Sequence, residues 1–269
     1  MDNFVDNPDR YIARLPTPTK IHDLIGAGAS FATVYLPPDR VIKREHASYA
    51  RGHASYERSI LEQLGPHPRL VRYFGMWNGN DWTVVLEYHP RGALRQILMD
   101  SDPSTDLPRR KYARQMAEGL AFMHRRGFVH GDFNGSNALV TNGDDIVLCD
   151  FAASGRDGEQ PQVACFETRH FRPRSNPEEQ QIRCVQDDIF ALGSALYELY
   201  THHKPYADKD DATVERLYRE GKFPGVDNLE LGPVIRKCWT GGYTTMDEVI
   251  PISLPMASVL VATVGEDDE

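Results

Sequence analysis

Residues 130–150, HGDFNGSNALVTNGDDIVLCD, constrain this chain more than any other stretch. Asp132 and Asn137 stand five apart in a run too rich in Gly, Asn and Ser for a helix. Beyond them, the segments Ala138–Thr141 and Ile146–Cys149 read as short strands joined by the turn signal Asn142-Gly143-Asp144. Such a hairpin folds the chain back and brings Asp150 beside Asn137. A carboxylate and an amide oxygen converging there are hard ligands suited to Mg²⁺ against nucleotide phosphates. Asp132 is then left to accept a hydroxyl proton.

The order His-x-Asp-x-x-x-x-Asn, hairpin, Asp-Phe resembles the catalytic loop and metal-binding segment of the eukaryotic protein kinase family. His130-Gly131-Asp132 with Asn137 also resembles small-molecule phosphotransferases of the aminoglycoside and choline kinase type. The remaining motifs discriminate between the two.

In the first third, apolar alternation surrounds a run of small residues, Gly26-Ala27-Gly28-Ala29-Ser30, and strand pattern resumes at Thr33-Val34-Tyr35. This resembles the glycine-rich loop over ATP phosphates, where missing side chains let backbone N–H groups approach oxygen. The family pattern G-x-G-x-x-G-x-V is met imperfectly. Either one residue is inserted before Val34, or Ala27, Ala29 and Ala32 replace the three glycines. Lys43 ends the β-branched run Arg40-Val41-Ile42, where the family places the lysine that binds the α- and β-phosphates. Residues 56–64 have apolar positions at 60, 61 and 64, the spacing of a helix, ending at Gly65-Pro66-His67-Pro68. Leu70-Val71 are expected to begin a strand. Glu57, three residues before Ile60-Leu61, matches the family's helix glutamate that pairs with the lysine; Glu62 is expected in solvent. Thr83–Leu86 reads as a buried strand leading into Glu87-Tyr88-His89, which resembles the hinge. The resemblance makes Leu86 the gatekeeper and turns the Glu87 carbonyl and the His89 N–H toward adenine.

In the second part, residues 112–124 show helical periodicity, and Asp187-Asp188 open a segment to Leu199 that is apolar nearly all round, as in a buried helix. Asp188 reads either as a simple N-cap or, by resemblance, as the aspartate that bonds the backbone of the catalytic loop. Lys204-Pro205-Tyr206, a helix near Ala212–Glu220, Phe223-Pro224 and Lys237-Cys238-Trp239 follow in the order of the protein kinase C-terminal lobe, especially of a group common in filamentous fungi. Small-molecule phosphotransferases do not share this succession.

The implied fold is α+β and bilobal: a small β-rich N-lobe with one main helix over about 20–87, and a larger, mainly helical C-lobe over about 92–265. At 269 residues and 41% hydrophobic content one such domain can bury a normal core. A formal net charge of −9 with scattered basic residues argues against nucleic-acid binding. The cluster Arg109-Arg110-Lys111 reads as the start of a solvated helix face. Cys149, Cys165, Cys184 and Cys238 form no CxxC pair and read as packing residues in a reducing compartment. Residues 1–20 carry no secretory signal pattern and include one short helical stretch at 8–14. Val249–Gly265, with two prolines, is short for a membrane span and is expected to pack as a C-terminal helix. A cytoplasmic or nuclear, intracellular location is expected.

The resemblance implies ATP and Mg²⁺ as cofactors and a protein substrate, with no nucleic-acid or membrane partner. The catalytic set is Asp132 as base, with Lys43 and Glu57. Asn137 and Asp150 are the metal ligands. Gly26, Ala27, Gly28, Ala29, Ser30, Val34, Glu87 and His89 complete the nucleotide site. His130, Phe151 and Leu61 form an apolar link between the lobes. Four departures stand out: Gly131 for the usual Arg, Ala152 for the Gly after Asp150-Phe151, Asn134 for the Lys of serine/threonine kinases, and Ser136 where many tyrosine kinases carry Arg. The Ala-Pro-Glu signature is replaced by Arg172-Pro173-Arg174 or Asn176-Pro177-Glu178. The loss of Arg at 131 predicts no strict dependence on activation-segment phosphorylation. A serine/threonine protein kinase is the leading reading. A nucleotide-binding pseudokinase scaffold is the alternative, and a small-molecule kinase is a more distant one.

Overall fold

The structure is a computed structural model and describes residues 24–27, 31–36, 38–45, 52–77, 80–163, 167–174 and 182–253. β-Branched and aromatic segments in the first part pair as an antiparallel five-stranded sheet in the order β1-β2-β3-β5-β4. Its strands are β1 (Leu24–Ala27), β2 (Phe31–Leu36), β3 (Arg40–Glu45), β4 (Tyr73–Trp77) and β5 (Asn80–Glu87). In the register of β2 with β3, Thr33 pairs with Lys43; in that of β3 with β5, Lys43 pairs with Val84.

Helix α1 (His53–Leu64) lies between β3 and β4 in the chain and packs on the sheet. Its buried residues, Ala54, Glu57, Ile60, Leu61 and Leu64, recur every three or four positions, the stripe expected of an amphipathic helix. Glu57 is the one charged member of that stripe, so burial forces a partner on it. The helix N-terminus is held from outside: the Glu45 carboxylate accepts the N–H groups of Gly52, His53 and Ala54 at 3.3–3.4 Å. Glu45 was not singled out in the sequence, because its partners lie across a loop.

The second part is helical, with α2 (Leu94–Asp100), α3 (Arg109–Arg125), α4 (Val185–Thr201), α5 (Asp211–Arg219) and α6 (Gly232–Trp239). Two short ladders are set among them: β6 (Phe128–Val129) with β9 (Gly155–Arg156), and β7 (Ala138–Val140) with β8 (Ile146–Leu148). The chain is therefore the mixed two-lobed fold that the resemblance implies. α4 is its central post: residues 187–196 are all buried, and α3 and α6 pack against it.

Several expectations are adjusted. Leu70 and Val71 are buried but precede β4; Leu70 bridges Leu148 in parallel, and the Val71 N–H donates to the Leu148 carbonyl at 2.8 Å. This pair therefore fastens the sheet to the β7–β8 hairpin. Asp188 is not the N-cap of α4. Cys184 is, with Asp187 completing a capping box by accepting the Cys184 N–H at 2.8 Å. Cys238 is buried in the core, whereas Cys149 and Cys184 are half-buried. Arg110 and Lys111 do lie on an open face of α3, where they pair with Glu230 and Asp145. The expected helix at 8–14, Cys165 and most of the C-terminal segment lie outside the described residues, as do Gly28, Ala29 and Ser30. No helix among the described residues is long and apolar enough to cross a membrane.

Candidate active site

Lys43 is the meeting point of both lobes. Strand β3 delivers it almost fully buried, and its Nζ lies 2.8 Å from Glu57 Oε2 and 2.6 Å from Asp150 Oδ1. Burial alone would lower the Lys43 pKa, but the carboxylates of Asp150 and Glu57 outweigh it and hold the ammonium protonated well above its usual range. Burial raises the pKa of Glu57 and Lys43 opposes that shift; for Asp150 burial also pushes upward, but Lys43, His130 and the Ala152 N–H together outweigh it and depress its pKa. Glu57 Oε1 also accepts the Phe151 N–H at 3.1 Å, and the Tyr56 hydroxyl donates to the Ser154 carbonyl at 2.7 Å. Helix α1 is thereby tied to the segment following Asp150 at two points.

The catalytic-loop candidate is organised by its own amides. Asn137 Nδ2 donates to the Asp132 carbonyl at 2.7 Å, and Asn134 Nδ2 donates to the same oxygen at 3.1 Å. Asn134 Oδ1 accepts the Ser136 N–H at 2.8 Å, so at this position the side chain folds the loop. The hairpin does what its turn signal predicts: the Cys149 N–H donates to the Asn137 carbonyl at 3.0 Å, which sets Asp150 beside Asn137. Asp150 adopts φ 62°, a left-handed backbone that Asp tolerates better than most residues, and its side chain remains 44% exposed. Ala152 is not among the residues of positive φ, so an alanine there is accommodated without strain. His130 Nε2 lies 3.0 Å from the Cys149 carbonyl, which can only accept, so this nitrogen carries the proton. The His130 ring lies 5.5 Å from that of Phe151, and Leu61 belongs to the same buried cluster.

The donor chemistry fits Mg²⁺. With Asn137 Nδ2 committed to Asp132, the remaining amide atom is its oxygen, and the exposed part of the Asp150 carboxylate adds a second hard ligand. Gly26 and Ala27 end β1, and Val34 lies in β2. Leu86 is buried at the end of β5, and the turn beyond is closed by bonds from Tyr88 N–H to the Asp39 carbonyl (2.8 Å) and from Gly92 N–H to the His89 carbonyl (3.0 Å). Glu87 ends β5, and the buried His89 imidazole lies 3.8 Å from its carboxylate; burial lowers the His89 pKa and Glu87 counteracts it.

Asp188 clamps the loop from below. Fully buried on α4, it accepts the N–H groups of His130 (2.7 Å) and Gly131 (3.0 Å) and lies 2.8 Å from His124 Nε2. Replacing Asp188 with Ala orphans the buried His130 N–H, at ~1–3 kcal/mol, and the half-buried Gly131 N–H beside it. A clear fall in melting temperature and loss of the ordered loop are expected, measured by calorimetry and amide exchange.

Sequence reasoning missed a charged network beside the loop. Arg95 donates through Nε to Glu198 Oε1 (2.6 Å) and pairs with Glu167 (2.8 Å); Lys204 pairs with Glu167 at 2.5 Å, and His170 lies 3.6 Å from Glu198. Its first and last members, Arg95 and Lys204, stand 109 positions apart, and no periodicity links the five. Burial would raise the Glu198 pKa, but the His170 and Arg95 bonds overcome it and bring it to about 2. A depressed carboxylate stabilises the fold above its unfolded pKa of ~4.3 and loses that contribution as pH falls toward the folded value. The shift corresponds to about 3 kcal/mol. Glu198→Gln should therefore melt below wild type at pH 6, with the gap closing as pH is lowered from ~4.5 toward 2.

Of the two candidates for the altered Ala-Pro-Glu signature, Asn176–Glu178 lies outside the described residues. Arg172 and Arg174 both reach Asp187, at 3.0 and 2.5 Å.

Comparison with known sequences agrees with this architecture. The protein kinase domain family matches residues 29–231, well over half of the chain. The mitogen-activated protein kinase kinase kinase ANP1 of Arabidopsis thaliana is 29% identical over 206 residues, covering 69% of this chain and 31% of the relative. Human mitogen-activated protein kinase kinase kinase 3 is 30% identical over 208 residues, covering 69% and 32%. The serine/threonine-protein kinase GIN4 of Saccharomyces cerevisiae is 27% identical over 191 residues, covering 67% and 16%. The chain thus spans about a third or less of these relatives. With the family match extending from the sheet through the loop to the helices behind it, the chain belongs to the protein kinase family.

Proposed function

We propose that this chain transfers the γ-phosphate of Mg-ATP to a serine or threonine hydroxyl of a protein substrate. The observation that carries the reading is the bridge of Lys43 between Glu57 and Asp150, at 2.8 and 2.6 Å. It aligns α1, the sheet and the metal-ligand candidate in one arrangement. In this reading Lys43 binds the α- and β-phosphates and Glu57 holds it in place. Gly26–Ser30 and Val34 cover the nucleotide, while the Glu87 carbonyl and His89 N–H receive adenine. Asn137 and Asp150 hold Mg²⁺, which when bound neutralises charge developing on the transferred phosphoryl group. Asp132 orients the acceptor hydroxyl and takes its proton. The preference for serine and threonine is supported by the relatives' names.

A pseudokinase is the second reading, favoured by the absence of a cationic side chain at residue 134, where Asn134 is spent on the loop backbone. One charged transition-state contact is worth on the order of 10²–10³ in rate, so a slow enzyme is expected even under the first reading. Labelled ATP supplied with a mixed peptide library tests both. The proposal expects label on serine or threonine; label confined to tyrosine overturns the specificity, and phosphorylation of small alcohols alone overturns the substrate class.

A further inference from the structure

The turn before Asp132 is built so that residue 131 carries no side chain. Gly131 has φ 78°, and a Cβ placed there would lie 2.5 Å from the Ala153 carbonyl oxygen. That oxygen belongs to backbone, so it cannot swing away as a side chain would. The space beside Gly131 is taken by a residue 52 positions further on: Arg183 Nε lies 3.7 Å from where that Cβ would be.

Arg183 is only 2% exposed. Its backbone is pinned on both sides, the N–H donating to the Glu159 carbonyl at 3.0 Å and the carbonyl accepting the Gly158 N–H at 2.8 Å. Its guanidinium carbon lies 5.1 Å from the centre of the Phe171 ring. It lines a cavity together with Asp132, Glu167, Asp187 and Asp188, and among the described residues no other Arg or Lys lines that cavity. Burial pulls the Arg183 pKa below the usual guanidinium value; Asp187, Asp188 and Asp132 work against that shift, and Arg174 works with it. Four carboxylates gathered around a buried space repel one another unless a cation stands among them. Glu167 is paired with Arg95 and Lys204, Asp187 is engaged by Arg172 and Arg174, and Asp188 by the loop N–H groups and His124. A guanidinium suits this position better than an ammonium, being planar, less strongly hydrated and always charged.

We propose that Arg183 is the positioning residue of the catalytic loop: its buried guanidinium, seated beside Gly131 among Asp132, Asp187 and Asp188, holds Asp132 in its working position. The inference deepens the proposed kinase reading and rests on it for its catalytic consequence. Because this cation belongs to the chain itself, the loop is held without a phosphate on the activation segment. Arg183 acts through Asp132 and contacts no reacting atom.

The test compares wild type, Arg183→Met and Arg183→Lys in three measurements: kcat with Mg-ATP and a peptide acceptor, ATP affinity, and amide exchange resolved by segment. In Arg183→Met, kcat should fall on the order of 10–100-fold while ATP affinity stays within about twofold. Exchange should quicken in residues 130–137 and not across the fold, and Arg183→Lys should restore a large part of both. The exchange arm needs no turnover, so it decides the positioning role even if wild type transfers no phosphate, a result that would count against the kinase reading alone. Unchanged exchange in 130–137 overturns the proposal. So does a general rise in exchange that Lys fails to correct, which marks a packing role, or an unchanged kcat in a wild type that does turn over.

Discussion

Lys43→Met should abolish measurable phosphoryl transfer, with a loss on the order of 10²–10³ or more in kcat/KM for ATP. The ammonium is shared by Glu57 and Asp150, and its removal leaves two carboxylates facing a space with no positive charge between them. Glu57 is wholly buried, and stripping a buried carboxylate of its partner typically destabilises by roughly 3–5 kcal/mol. Helix α1 should then withdraw, taking with it the Glu57 bond to the Phe151 N–H and the Tyr56 bond to the Ser154 carbonyl. Steady-state kinetics beside a thermal melt measures both effects. Lys43→Arg separates them, because it keeps the charge and changes the shape of the donor. A Lys43→Met variant that melts and turns over like wild type would remove the bridge from the account.

Asp132→Asn should reduce kcat by about 10²–10⁴, the range attributable to a general base, with little change in melting temperature or ATP affinity. The loop is organised by the Asp132 backbone carbonyl, which accepts Asn134 and Asn137 amides at 3.1 and 2.7 Å, and the substitution leaves that carbonyl intact. Oδ2 of the side chain also lies 3.5 Å from Asn137 Nδ2, a contact that an amide oxygen can keep. Transfer and folding are thus expected to separate cleanly at this residue. A large fall in melting temperature would instead assign Asp132 to the scaffold.

The elements read correctly in the sequence were those encoded locally. Residues 60, 61 and 64 announced α1, and the Asn142-Gly143-Asp144 turn announced the hairpin that carries Asp150 to Asn137. The apolar run after Asp188 announced α4, and the resemblance supplied the bonds from Asp188 to the loop that the structure contains. What escaped were contacts between distant segments. Leu70 and Val71 look like a strand start, yet their pairing is decided by Leu148, far along the chain. Glu45 resembles any strand-end acid until the loop returns three N–H groups to it. Arg172, Arg174 and Arg183 appear in sequence as scattered surface charge, and only folding gathers them around Asp187. A signal was present in part: two arginines flanking Pro173, and the adjacent acids Asp187-Asp188, are costly to bury unless they meet.

The departures at 131 and 134 acquire different meanings once placed. Gly131 follows from its left-handed backbone and the nearness of the Ala153 carbonyl, so restoring Arg there would strain the turn rather than repair it. Asn134 is buried and bonded at both ends of its amide, a loop-building residue where a phosphate-binding cation was absent from the sequence.

The central claim is that a nucleotide held at Lys43, Asn137 and Asp150 is consumed by transfer. A single-turnover experiment with γ-labelled ATP and Mg²⁺, run beside a calorimetric measurement of ATP binding on the same folded wild-type sample, addresses it directly. The account predicts saturable, Mg²⁺-dependent binding and label appearing on protein. Binding with no label on any protein, at enzyme concentrations above the dissociation constant, would contradict it.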